Sequence, residues 1–212
     1  MGNHRQNLTK GDHVLSSPQS FRSQGCVILL LVALIALRHS GAAGQSQPER
    51  RNQGMFQLTS SAFEHESNIP AQYSCDGRNI SPELSWSAAP AGTKSFALVM
   101  HDPDAPIAGG YTHWLVYNIP ASAHNIPENA PNQDQLPGGG MQGKNDAGKY
   151  GYTGPCPPSG THRYYFRLYA LDTELGRDSG ASKGSLEKAI HGHILATAEL
   201  LGRYKRSAGK AA

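Results

Sequence analysis

Three stretches of β-prone residues place the tightest limits on how this chain folds. KSFALVMHD (residues 94–102) and THWLVYNIP (112–120) are continuous apolar runs, a pattern typical of central strands that are buried on both faces. HRYYFRLYALD (162–172) is long and rich in aromatic residues. Alternate residues of a strand point to opposite faces, so one face of this third run should carry Tyr164, Phe166, Leu168 and Ala170. We predict that these three strands form the core.

Weaker patterns predict the remaining elements of the domain. FQLTSSAF (56–63) is expected to form a first strand, and Leu84 and Trp86 should share one face of a short extended stretch. Residues 121–161 are dense in Pro, Gly and Asn, and we expect an ordered, packed loop there because of Tyr150 and Tyr152. Apolar residues near helical spacing predict one helix over 185–205, with Ser185 as a candidate N-cap.

The N-terminal segment is typical of an export signal. Residues 26–37 are twelve consecutive apolar residues, too few for a membrane span but typical of a signal-peptide core. We therefore expect a signal peptide or uncleaved anchor over 1–44, a linker over 45–54, a domain over 55–206 and a disordered tail over 207–212. This predicts a periplasmic or secreted protein, anchored to the inner membrane by residues 26–37 if the signal is not cleaved.

The charge distribution argues against a nucleic-acid partner. The net charge is +3, and the excess lies in residues 1–44, whereas residues 45–212 hold fifteen Lys and Arg against fifteen Asp and Glu. A neutral domain without a basic stripe lacks the electrostatic footprint of a nucleic-acid-binding protein.

Two cysteines, Cys75 and Cys156, remain once the N-terminal segment is set aside. In an oxidising compartment such a pair is compatible with a disulfide that closes a long loop. Two alternatives stay open, namely two buried thiols and a nucleophilic Cys156 near His162.

The Asp-Pro-Asp-Ala-Pro turn at residues 102–106 is the first candidate for chemistry. Pro103 and Pro106 fix their own φ angles and end the strand, which holds both carboxylates rigidly at its tip. The turn is compatible with a pocket wall, with a general acid and base pair, or with a structural turn alone. We expect Asp102 to polarise His113 and Asp104 to have a structural role.

Two histidines and a tyrosine follow at the starts of later strands. His113 opens the run after the turn, so a neighbouring strand would bring it to Asp102 or Asp104, and a carboxylate there would raise the pKa of the imidazole. His162 and Tyr164 are two residues apart and share a face. Together with the Gly/Pro loop, these side chains predict an anion-binding pocket.

Other kinds of site find less support in the sequence. A metal site is disfavoured because no HExxH or HxxEH spacing occurs, and His191 and His193 lie two apart in the predicted helix. The many serines are typical of turns and indicate no nucleophile, and the glycines of 136–140 lack the spacing of a dinucleotide site. No cofactor is predicted.

Four motifs together resemble the phosphatidylethanolamine-binding protein family, also called Raf kinase inhibitor protein-like, in its bacterial YbhB/YbcL branch. They are CDGRNISPELSW, DPDAP, HWLVYNIP and GPCPPSGTHRYYFRLYALD, in this order. The resemblance covers residues 55–204. It implies a mainly β fold with a central antiparallel sheet, a second smaller sheet and a C-terminal helix.

The resemblance also implies a ligand pocket for phosphate-like anions such as a phospholipid headgroup. Carried over by motif, the pocket residues are Asp102, His113, His162 and Tyr164, with a rim of Gly154, Cys156 and Pro157. Cys156 stands where eukaryotic members have glycine, and exported bacterial members carry cysteines near both positions, which favours a bridge between Cys75 and Cys156.

Three functional hypotheses follow from these residues. The first is an exported binding protein, not an enzyme, whose pocket takes a small anionic ligand or phospholipid headgroup. The second is a hydrolase that uses the Asp/His pair as acid and base. The third is an inhibitor that docks on a partner protein, a kinase or another enzyme, through a surface loop.

Overall fold

The computed structural model describes residues 55–207, apart from 88, 179 and 181. The predicted export signal (1–44), its apolar run (26–37), the linker (45–54) and the tail beyond residue 207 lie outside the described residues. Within the described ranges, no helix is long and apolar enough to cross a membrane. The predicted domain boundaries, 55–206, stay a prediction.

The described residues form two antiparallel sheets, one α-helix and a short 3₁₀ helix. In chain order the elements are β1 (Leu58–Thr59), a 3₁₀ helix (Ala71–Tyr73), β2 (Leu84–Trp86), β3 (Ser95–Asp102), β4 (Tyr111–Pro120), β5 (Asn125–Ile126), β6 (Met141–Gln142), β7 (His162–Leu171), α1 (Lys183–Ile190) and β8 (Ile194–Tyr204). The larger sheet has the order β6-β4-β3-β7-β8, and the smaller has the order β1-β2-β5. The mainly β fold with two antiparallel sheets is therefore confirmed.

The main core lies between the two sheets. The inner face of β7 confirms the predicted alternation, because Tyr164, Phe166, Leu168 and Ala170 are all fully buried. Leu84 and Trp86 of β2 are likewise buried and face this core. Truncation of a core aromatic to alanine costs about 3–5 kcal/mol, so these contacts dominate the stability of the domain.

A smaller core lies on the other face of the larger sheet. Leu186 and Ile190 of α1 pack there against Val99 and Leu115 of the two central strands. This explains why β3 is buried at all eight positions, one face against the smaller sheet and the other against the helix.

The predicted helix over 185–205 is wrong in its extent. It ends at Ile190, its N-cap is Ser182 and not Ser185, and the chain turns at Gly192, whose φ of +83° is left-handed. Residues 194–204 then form β8, which pairs with β7 over ten positions. Hydrogen bonding to β7 thus decides the structure of this segment, although its apolar residues have helical spacing. The HGH residues 191–193 lie in the turn and not in the helix.

Two further predictions are corrected or sharpened. The first strand covers only Leu58–Thr59 of the expected 56–63. The long loop is ordered as expected, since Gln142 donates hydrogen bonds to two of its carbonyls (2.7 and 2.8 Å) and accepts one from Trp114. Tyr152 is buried in this loop, whereas Tyr150 is 41 % exposed.

Candidate functional site

A cavity of about 300 Å³ opens where three neighbouring strands of the larger sheet end. Asp102 closes β3, His113 lies near the start of β4, and His162 begins β7. Because these strands are antiparallel neighbours, their tips meet at one edge and bring the three side chains together. Residues 105–107 form one wall, and residues 153, 154 and 156–158 form the other. We call this cavity the histidine pocket.

Asp102 is the buried anchor of the histidine pocket, with 3 % of its surface exposed. Its Oδ2 accepts a hydrogen bond of 2.7 Å from Nδ1 of His162, and its Oδ1 accepts one of 2.8 Å from the backbone N–H of Asp104. Both carboxylate oxygens are therefore engaged. The prediction that Asp102 pairs with His113 is wrong, because its partner is His162.

His113 is held by the backbone of the loop and not by a carboxylate. Its Nδ1 donates to the carbonyl of Thr153 at 2.7 Å, and its own carbonyl accepts from the Thr153 N–H at 3.0 Å. The ring is 5 % exposed and lies against the rings of Tyr111 and Tyr164, with centroid distances of 4.8 and 5.2 Å.

Burial lowers the pKa of His113 from 6.5 to about 4, more than the Thr153 carbonyl and the Asp102 charge raise it. The ring is therefore neutral at pH 7. The prediction of a cationic His113 is wrong, because desolvation of the ring outweighs a carboxylate that is bonded to another histidine.

A β-bulge explains how His113 reaches the pocket. Met100 is paired with Trp114 and His101 with Thr112, so His113 has no partner on β3. Bulges occur next to functional sites because the extra residue re-aims a side chain. Here the bulge lets His113 and Trp114 both face the inner side of the sheet, although they are adjacent in sequence.

Tyr164 supports the pocket from below. Its ring lies 5.2 Å from the His113 centroid and 6.5 Å from that of His162, and the side chain is fully buried. Burial, followed by the charge of the nearby Asp102 carboxylate, raises the pKa of Tyr164. Tyr164 lies behind the cavity surface, where it can orient both imidazoles.

The disulfide expected from the resemblance ties one wall of the pocket to the segment after the 3₁₀ helix. Cys75 is bridged to Cys156, and the Cys75 N–H donates to the carbonyl of Pro155 at 3.1 Å. The bridge contradicts a Cys156 nucleophile and a pair of free thiols. Gly154, Cys156 and Pro157 all lie in this wall, as the resemblance implied.

Gly154 allows the wall to approach the neighbouring segment closely. A Cβ at this position would lie 2.3 Å from the carbonyl oxygen of Tyr73 and 2.6 Å from Oδ1 of Asn79. The Gly154 N–H donates to the same Asn79 oxygen at 2.7 Å, so this amide is engaged within the fold and is not free for a ligand.

Asp104 fixes the opposite wall, as its predicted structural role requires. Its carboxylate accepts from Nε of Arg163 at 2.9 Å and from Nη2 at 2.7 Å, the forked geometry of a strong ion pair. This pair joins the 102–106 turn to the start of β7.

Sequence reasoning missed several residues that shape the pocket. Thr153 acts through its carbonyl, and a backbone contact leaves no signature in the side chain. Tyr111 lies two residues before His113, just before the apolar run 112–120 begins, and that spacing could have identified it. Asn79 lies within the CDGRN motif, but its contact with Gly154 depends on long-range packing.

Two other observations bear on the choice of site. A larger cavity, about 630 Å³, lies under residues 122–131 and 136–139, and it lacks a comparable cluster of buried ionisable side chains among its described residues. No group of three or more His, Cys, Asp or Glu within the described ranges has a metal-binding arrangement. His193 instead pairs with Asp172 at 2.8 Å.

The family profile for phosphatidylethanolamine-binding protein matches residues 59–205 of this chain. The chain belongs to this family. A UPF0098 protein of Methanothermobacter thermautotrophicus is 52 % identical over 149 residues, which cover 70 % of this chain and 98 % of the relative. The family assignment made from the four motifs is thus confirmed.

Solved structures of family members share the fold. The crystal structure of Escherichia coli YbcL matches with a TM-score of 0.67 and 38 % identity, covering 73 % of this chain and all of YbcL. A phosphatidylethanolamine-binding protein homologue from Chlamydia trachomatis matches with a TM-score of 0.66 and 45 % identity, covering 72 % and 99 % of the two chains. The YbcL-type branch is therefore confirmed as well.

Proposed function

We propose that this protein is a binding protein, not an enzyme, whose histidine pocket takes a phosphate-like group, either free or in a phospholipid headgroup. The observation that carries the proposal is the position of His162. Asp102 holds its Nδ1 at 2.7 Å, and the ring lines the cavity with Nε2 as its remaining polar atom. When the ring carries both protons, Nε2 donates to an oxyanion while Asp102 balances the charge.

The size and walls of the pocket fit a small anion attached to an organic group. A volume of about 300 Å³ is at the lower end for small-molecule sites. Pro106, Ile107 and Pro158 supply apolar surface, and Ile107 is 52 % exposed. A headgroup could place its phosphate at the histidines and its carbon chain against these residues.

A hydrolase remains the second candidate because a carboxylate bonded to an imidazole can orient a general base. In this arrangement His162, not His113, would activate water. Cys156 cannot serve as the nucleophile, since its sulfur is bonded to Cys75. A turnover screen against carboxylic esters, phosphoesters and glycosides separates the two, because activity that is lost in Asp102→Asn and His162→Phe would establish the hydrolase.

We also propose that the protein works outside the cytoplasm, where disulfides persist. The Cys75–Cys156 bridge and the apolar run at 26–37 support this location. Modulation of a partner enzyme would involve a surface beyond the pocket. A pull-down with wild-type and His113→Ala protein tests it, since a docking surface would survive the change in the pocket.

The binding proposal is tested by calorimetric titration of the purified protein with inorganic phosphate and phosphoethanolamine. We expect saturable binding that is reduced at least about tenfold in His162→Phe, which removes the charged donor. His191→Phe is the matched control, because His191 is exposed in the turn after α1. Absence of binding at millimolar ligand would contradict the proposal.

A further inference from the structure

The two histidines of the pocket differ in the hydrogen bond that they can offer a ligand. Nδ1 of His113 lies 2.7 Å from the Thr153 carbonyl, which can only accept, so this nitrogen carries the proton. In the neutral ring Nε2 is then an acceptor. Nε2 is the remaining polar atom of the ring and has no hydrogen-bond partner among the described residues, and His113 lines the histidine pocket.

We propose that His113 makes the pocket selective for ligands that pair an oxyanion with a hydrogen-bond donor, which its Nε2 accepts. The inference rests on the proposed function and adds to it the chemical class of the ligand. His162 donates to the oxyanion, and His113 accepts from the donor beside it. An anion without a hydrogen-bond donor would place one of its oxygen atoms against Nε2. The lone pair of that oxygen and the lone pair of Nε2 would then both lack a donor in a buried site.

The surroundings of His113 keep its ring in this state. Tyr111 and Tyr164 cover the ring from β4 and β7, and neither hydroxyl is hydrogen-bonded to it. The charged and titratable groups that act on it are Asp102, Asp146 and His101, and their influence is smaller than that of burial. Protonation at Nε2 would therefore create a buried cation without a bonded carboxylate, since Asp102 is bonded to His162.

Two kinds of ligand combine an oxyanion with a hydrogen-bond donor. A phosphate monoester with one remaining proton offers its P–OH, and a phosphoethanolamine diester offers its ammonium group. Sulfate and dimethyl phosphate have the anionic oxygens without a donor. The second pKa of a phosphate monoester is about 6, so a large fraction of methyl phosphate carries its proton at pH 6.

The test is calorimetric titration of the full-length protein at pH 6 with methyl phosphate, dimethyl phosphate and sulfate. We expect methyl phosphate to bind at least about tenfold more tightly than the other two. His113→Phe, which keeps a ring but removes the acceptor, should reduce that preference to about twofold or less, while His191→Phe should retain it. Glycerophosphoethanolamine separates the two sources, because tight binding that depends on His113 indicates the headgroup and weak binding indicates a monoester or free phosphate.

Equal affinities for all three anions in the wild type, or an unchanged preference in His113→Phe, would overturn the inference and leave the proposed function standing. No binding of any anion would overturn both. If His113→Phe fails to fold, the ring proton is located in the wild-type protein by ¹⁵N–¹H correlation spectra. A proton on Nδ1 of His113, retained when methyl phosphate is added, supports the inference, and a proton on Nε2 overturns it.

Discussion

Asp102 and His162 form a buried carboxylate–imidazole pair at 2.7 Å, with exposed side-chain fractions of 4 % and 9 %. A second pair of the same chemistry, Asp172 and His193, lies on the surface at 2.8 Å with both side chains nearly half exposed. The protein thus contains its own matched comparison. A buried pair depends on its partners far more than an exposed one, because solvent cannot replace the lost contact.

We therefore predict that Asp102→Asn lowers the free energy of unfolding by about 3–5 kcal/mol. The equivalent surface change, Asp172→Asn, should cost less than about 1 kcal/mol. Urea unfolding at pH 7 measures both values. Equal effects of the two substitutions would contradict the importance of burial at the Asp102 site.

The buried His113 predicts a specific pH dependence of stability. Its pKa in the folded protein is about 4, below the value of 6.5 in the unfolded chain, so the unfolded state binds more protons as the pH falls. Stability should be lost between about pH 6.5 and pH 4 by roughly 3 kcal/mol from this residue. Urea unfolding at a series of pH values measures the loss, which should be much smaller in His113→Gln. His191→Gln should behave as the wild type does.

The disulfide joins residues that are 81 positions apart. Closure of a loop of this size stabilises a folded protein by roughly 4 kcal/mol, so the double substitution Cys75→Ser and Cys156→Ser should lower the unfolding free energy by about that amount. A reductant should have the same effect on the wild type and none on the double variant. Phosphate affinity should fall in parallel, since Cys156 belongs to the pocket wall.

Two glycines should respond to alanine with opposite signs. Gly154→Ala places a methyl group 2.3 Å from the Tyr73 carbonyl and should destabilise the fold by about 1–3 kcal/mol. Gly184 lies in α1 with open space around it, and Gly184→Ala should stabilise the protein by about 0.5–1 kcal/mol. Thermal unfolding of both variants measures the difference. A neutral Gly154→Ala would contradict the close approach of the wall.

The sequence predicted the central strands well because their signal is local. Alternation along 162–172 and the unbroken apolar runs before it depend on which side of a sheet each residue faces. The extent of the helix could not be predicted in the same way. Residues 194–204 have apolar positions compatible with both periods, and the decision is made by pairing with β7, which is a long-range contact.

The sequence predicted which residues form the site, but not which histidine is hydrogen-bonded to Asp102. Asp102, His113 and His162 do meet, yet sequence spacing cannot tell which imidazole receives the carboxylate. The answer depends on the bulge at His113 and on the Thr153 carbonyl, and neither has a side-chain signature. The predicted positive charge of His113 was wrong for a related reason. Burial keeps the ring neutral, and the depth of burial depends on the whole fold and not on neighbours in the chain.

Binding of an oxyanion in the histidine pocket is tested most directly by NMR. The imidazole signals of His113 and His162 are recorded while the protein is titrated with inorganic phosphate. We predict that both sets of signals shift with one saturating curve, while the signals of the exposed His191 are unaffected. Unchanged signals of His113 and His162 at millimolar phosphate would contradict the proposal that the histidine pocket binds an oxyanion.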